Sequence, residues 1–161
     1  MEFEVTPAGR LVMRNIPPVL AGLLKQIPPA AECDTEEVEA RFFSSPSLDP
    51  DETGLREDWK AHVEPELHTL FLESRQVVDA DLRGLVETGD LASLEFPAAH
   101  ADAWLNALNQ ARIALVTRHQ ITEQEMTSPH PRDIETPRDL ALVQIFFYEH
   151  ILHWLVEVVD P

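Results

Sequence analysis

The sequence predicts a mainly α protein: a multi-helix, orthogonal or bundle-like domain with a small N-terminal β-hairpin. Three observations carry that expectation. Apolar residues recur at helical spacing through residues 66–86, 97–119 and 137–159. Strict alternation is confined to the first fifteen residues, around the turn triplet Pro7-Ala8-Gly9. The composition, 44% apolar over 161 residues with the one cysteine Cys33, suits a core that needs no disulfide framework.

Taken in order, Met1, Phe3 and Val5 alternate with Glu2 and Glu4, and Leu11 and Met13 alternate with polar neighbours, which gives the hairpin over residues 1–15. An isolated hairpin is marginal, so it is expected to lie on a helical layer. Pro17 and Pro18 open a short helix with Val19, Leu20, Leu23 and Leu24 as its stripe, and Pro28-Pro29 ends it. Asp34 or Thr35 caps the next helix, whose buried side is Val38, Phe42 and Phe43. Ser44 to Asp51 reads as a loop. A helix from about Asp51 to Val63 follows, interrupted or kinked at Pro65.

From Glu66 the pattern is cleaner, with Leu67, Leu70, Phe71, Ser74, Val78, Leu82 and Leu85 on one stripe. Thr88-Gly89-Asp90 ends it, and Leu94 and Phe96 mark a brief extended segment. Pro97 starts a helix that runs to about His119, with Ala101, Trp104, Leu108, Ala111 and Leu115 on one face. Residues 127–136 form a polar loop. Thr136 caps the last helix, opened by Pro137, with Asp139 near its positive end. Its apolar arc exceeds half the circumference, so it is central to the core or faces a second subunit. Glu149, His150 and His153 in its middle argue against a membrane span. The organisation expected is one helical domain over 1–161: a hairpin (1–15), an acidic helical arm (16–63) and core helices (66–159).

Net charge is −17, from 12 basic and 29 acidic side chains. Residues 31–100 hold five basic and 18 acidic, net −13, so the middle of the chain carries most of the negative field. Such a surface is repelled by nucleic acid and anionic lipid, so neither is an expected partner. It keeps the protein soluble, docks a basic protein, or mimics nucleic acid. One cysteine fits a reducing compartment, and no basic segment followed by an apolar run opens the sequence, so a cytoplasmic location is expected.

Phosphate-binding glycine loops and a G-x-S-x-G elbow are absent. Cys33 reads as a small apolar or loop residue rather than a nucleophile. Glu149, His150 and His153 share helical faces at three- and four-residue spacing and are the candidate metal ligands. A second set is His62, Glu64, Glu66 and His68, broken by Pro65. Asp81 and Arg112 sit on otherwise apolar arcs. A buried guanidinium needs a carboxylate, so Arg112 is expected to pair with Asp81, or failing that Glu73, in a structural role. Leu152, Val156 and Val159 widen the last helix and are the candidate subunit interface, on which a homodimer would form.

Glu73-Ser74-Arg75-Gln76 with Asp79-Ala80-Asp81-Leu82-Arg83 is similar to the pattern E-x-R…E-D-D-L-R. The segment from Ala103-Trp104-Leu105 to Ala114-Leu115 is similar to W-L-x-A-L-N-D-x-R-L-A-L, with Arg118 following as in that pattern's T-R. Phe147-Tyr148-Glu149-His150 and Leu152 to Leu155 resemble V-Y-x-W-L…L-x-x-x-L. In these segments, mainly over 70–160, the chain resembles an uncharacterised bacterial family known only as a domain of unknown function. Its histidine pair and its proline-rich first third depart from that family. The resemblance implies genes encoded beside a Clp-protease adaptor, a JAMM-type metallopeptidase and a ubiquitin-like sulfur carrier, hence a setting of regulated proteolysis or sulfur transfer. It implies no reaction. The functional expectation is a non-enzymatic helical interaction or adaptor protein with no cofactor. A metal-dependent enzyme built on Glu149, His150 and His153 is the alternative, and an acidic nucleic-acid mimic a third.

Overall fold

A computed structural model describes residues 1–44, 52–128 and 133–161. The loop expected at 44–51, from residue 45 on, and the middle of the loop expected at 127–136 lie outside the described residues.

The strands are β1 (Glu2–Val5), β2 (Arg10–Ile16), β3 (Val86–Thr88) and β4 (Leu91–Pro97), antiparallel in the order β1-β2-β4-β3. The expected hairpin is there as β1 and β2, with Phe3 opposite Met13 and Gly9 turning at φ 72°. It does not stand alone. A second hairpin, β3–β4, turns at Gly89 (φ 64°) and pairs with β2, Leu11 opposite Phe96 and Met13 opposite Leu94. The brief extended segment expected near Leu94 is thus one strand of a larger sheet. Ala92, Leu94 and Phe96 alternate into the core with polar or exposed residues between them. Asn15, at φ 54°, takes up a register shift between Met13 and Ile16, a conformation asparagine tolerates better than most residues.

Helix α1 (Pro18–Lys25) starts on the proline pair as expected. Pro28-Pro29 does not simply end it. The prolines sit in the first turn of a short α2 (Ile27–Ala30), where a missing N–H is harmless. Thr35 caps α3 (Glu36–Phe42), its hydroxyl accepting from the Val38 amide. Helix α4 (Thr53–Asp58) passes through a π-helical turn (Trp59–Val63) straight into α5 (Glu64–Leu82). Pro65 therefore interrupts the α pattern, as expected, without ending the helical run. It lacks an N–H for the carbonyl four residues back, and the backbone widens over the turn before it.

A 3-10 turn (Ala98–His100) leads into α6 (Ala101–His119), which Gln120 closes in the left-handed region at φ 50°. A short α7 (Glu123–Thr127) and the long α8 (Pro137–Val159) follow, each opened by a capping box, Thr122 with Glu125 and Thr136 with Asp139. α6 packs against both α5 and α8. Its Trp104, fully buried, stacks on Phe96 of the sheet with ring centroids 4.5 Å apart. The buried Tyr148 of α8 donates its hydroxyl to the Leu23 carbonyl of α1 at 2.8 Å, and burial pushes that phenol's pKa up. By length and composition α8 could cross a membrane, yet 44% of its most apolar window is buried inside the fold.

The expected arm over 16–63 divides. Leu24 and Ile27 of α1 and α2 are fully buried in the main core. α3 forms a second small core with Phe42, Phe43 and Val38 against Ala114 of α6. Among the described residues, the stretch from α4 into the first half of α5 is the least buried helical run: neither α4 nor the π turn buries a residue, and α5 buries none before Ser74.

Candidate functional site

That least buried stretch combines two properties that rarely coincide on a free surface. Leu55, Leu70 and Leu72 are 49%, 44% and 46% exposed. Around them Glu52, Glu57, Asp58, Glu66 and Glu73 are also exposed. At its base Leu67 and Phe71 lean on Phe42 and Phe43, with Phe42–Phe71 centroids 5.9 Å apart in an edge contact. The His68 ring stacks on Phe43 at 3.6 Å. The aromatic contacts anchor the first half of α5 on α3; Glu66, Leu70, Leu72 and Glu73 are exposed within that same segment, and Leu55, Glu57 and Asp58 are exposed in α4 beyond it.

Asp81 is held deep, its side chain 10% exposed. Its carboxylate accepts from the Trp104 indole N–H at 2.9 Å and from His100 Nδ1 at 2.9 and 3.0 Å. The expected Asp81–Arg112 pair does not form, nor does Arg112 pair with Glu73. α5 and α6 run antiparallel, so the end of α5 meets the start of α6. Arg112 lies eight residues past Trp104, roughly 12 Å along the axis. It faces α8 instead, with Nη2 3.7 Å from Glu149 Oε1. His100, which completes the Asp81 network, is not among the residues the sequence singles out. Its position just before the α6 face is the available signal.

Glu149, His150 and His153 do not come together as three ligands. Glu149 faces Arg112, and the His150 ring lies 5.4 Å from Phe3 of β1. Helical spacing places the pairs on common faces, but the neighbours of those faces draw the side chains apart. From the second set, Glu64 and His68 meet Glu39 of α3, with ligand atoms all within 4.8 Å of one another. His62 and Glu66 are not part of that group. Among the candidate interface residues, Leu152 is buried in the core at 8% exposure, while Val156 and Val159 are about half exposed.

Two arginines outside the expected set do structural work around Cys33. Arg118 donates to the carbonyls of Ala30 (2.8 Å) and Glu32 (2.5 Å) and to Asp34 Oδ1 (3.0 Å), while Arg75 reaches the Ala31 carbonyl at 3.3 Å. They tie the end of α2 to α5 and α6, as cations suit carbonyl-rich helix ends. Burial, then the Glu39 charge, pushes the Cys33 thiol up, which lowers its thiolate fraction and does not suit a nucleophile.

No curated protein and no solved structure matches the chain. A family model does, over residues 2–159. That span takes in every element from β1 to α8, so the chain belongs to the family described as "Domain of unknown function (DUF2017)".

Proposed function

We propose that this protein is a non-enzymatic helical interaction or adaptor domain whose arm, from α4 into the first half of α5, docks a basic protein. The observation that supports it is the arm itself: a run of helix with no fully buried residue over α4 and the π turn that keeps three leucines in water among acidic side chains. Scattered exposed leucines are ordinary, but here three lie along one helical run among acidic side chains, and a partner with an apolar groove rimmed by lysine and arginine would cover both features. Regulated proteolysis or sulfur transfer is the setting that the family resemblance implies for such a partner.

The test is affinity capture from native lysate at low and high salt, comparing wild type with Glu66→Lys/Glu73→Lys. Both sites are exposed, so the variant is expected to keep the wild-type melting temperature. The expected outcome is a specific partner held by wild type at low salt, weakened at high salt and lost by the double variant. Equal capture by both proteins would sink the arm as the docking surface.

A further inference from the structure

A cavity of about 400 Å³ opens between the outer face of α6, the short α7 and the end of α3, on the flank of α3 away from the Glu39 group. Its polar wall is Arg41, Asn109, Arg112 and the exposed Glu123 of α7. Its apolar wall includes Ile113, Val116 and Met126. Two features single it out. Among the described residues the buried Arg112 Nε–H finds no acceptor, and the guanidinium's ion pair, to Glu149, is a 3.7 Å contact at another corner. Arg41 forms no ion pair among the described residues. In a chain with 29 acidic and 12 basic side chains, two guanidinium groups with spare donors on one cavity run against the composition.

A buried guanidinium donor without an acceptor is costly, and a planar fork is best met by a carboxylate accepting two parallel N–H bonds. Glu123, exposed on the cavity wall, and Glu149, 3.7 Å from the Arg112 guanidinium, oppose a second negative charge. The ligand that fits carries one negative charge at one end and carbon at the other. We propose that this cavity binds an organic monocarboxylate with a short apolar tail, the carboxylate on Arg112 and Arg41 and the tail on Ile113, Val116 and Met126. A free short-chain acid and the C-terminal residue of a peptide share that chemistry.

Titration calorimetry on the full chain tests it with hexanoate, hexan-1-ol, inorganic phosphate, and N-acetyl-Ala-Leu as the free acid and as the amide. Hexanoate or the free-acid peptide is expected to bind at least tenfold tighter than hexan-1-ol, phosphate or the amide. Arg112→Met is expected to weaken acid binding at least tenfold and Arg41→Gln several-fold, with hexan-1-ol unchanged. The tighter of the two acids identifies the source, a free acid or a chain terminus. Acid and alcohol binding alike, or no binding of either acid, would overturn the proposal. So would acid binding untouched by both substitutions. Arg41 is exposed, so Arg41→Gln decides the matter if Arg112→Met does not fold.

Discussion

Asp81 illustrates what a side chain's sequence position does and does not disclose. A carboxylate on an apolar helical arc had to find a donor, and it did. Which donor depended on the antiparallel register of α5 and α6, and that is set by packing over whole helices. The same register brings Asn106 Nδ2 to 3.4 Å from Ser74 Oγ and sends Arg112 toward α8. Trp104 is fully buried, so its indole N–H depends on Asp81 for an acceptor. Asp81→Ala is expected to cost about 2–3 kcal/mol, the penalty of a stranded buried donor with lost charge-assisted bonds. Asp81→Asn, which keeps an acceptor oxygen, should lose less. Urea unfolding of the two variants measures the order, and equal losses would show that the indole bond is not what the carboxylate contributes.

The junction of α6, α7 and α8 is a different case, because its parts are local. Thr136, Pro137 and Asp139 are readable as a helix start from three closely spaced cues, and the structure holds a complete capping box there. Thr122 and Glu125 carry the same signature for α7, a helix too short to show a period of its own. Arg138 then fastens one helix to the other. Its guanidinium forms an ion pair with Glu125 and donates to the carbonyls of His119 and Gln120. The Arg138 hydrogen bond, helped by Thr122, holds the Glu125 carboxyl at about 2, against an ordinary value of 4.5. A depressed carboxylate contributes stability that is complete above its unfolded value and disappears as pH falls toward its folded one. Between about pH 4.5 and 2 the melting temperature of wild type should therefore fall more steeply than that of Glu125→Gln. Parallel curves in thermal melts across that range would show that this ion pair is thermodynamically silent.

Three long helices and one hairpin are readable in the sequence because each carries its own period over many residues. The second hairpin is not, because Val86–Thr88 buries nothing and so shows no alternation. The Arg41–Arg112 cavity is equally hidden, since α3, α6 and α7 each supply part of its wall. Charge acts on the assembled molecule as well. At −17 the chain repels itself, and adding salt shortens the reach of that repulsion. Raising NaCl from about 50 to about 500 mM is expected to raise the melting temperature of wild type. A flat response would mean that the ion pairs lost to screening offset the relief.

The pairing of β2 with β4 also sets a timetable. Arg10 and Pro97 are opposite each other in the sheet, and Phe3 stacks on Trp154 at 4.5 Å. On a ribosome adding roughly 5–20 residues per second, β2 waits on the order of 4–16 seconds for its second neighbour to be made. Phe3 waits longer for its indole. During that interval Leu11, Met13 and Ile16 have no sheet partner on one side. A nascent chain of this protein makes its most buried strand early and covers it late.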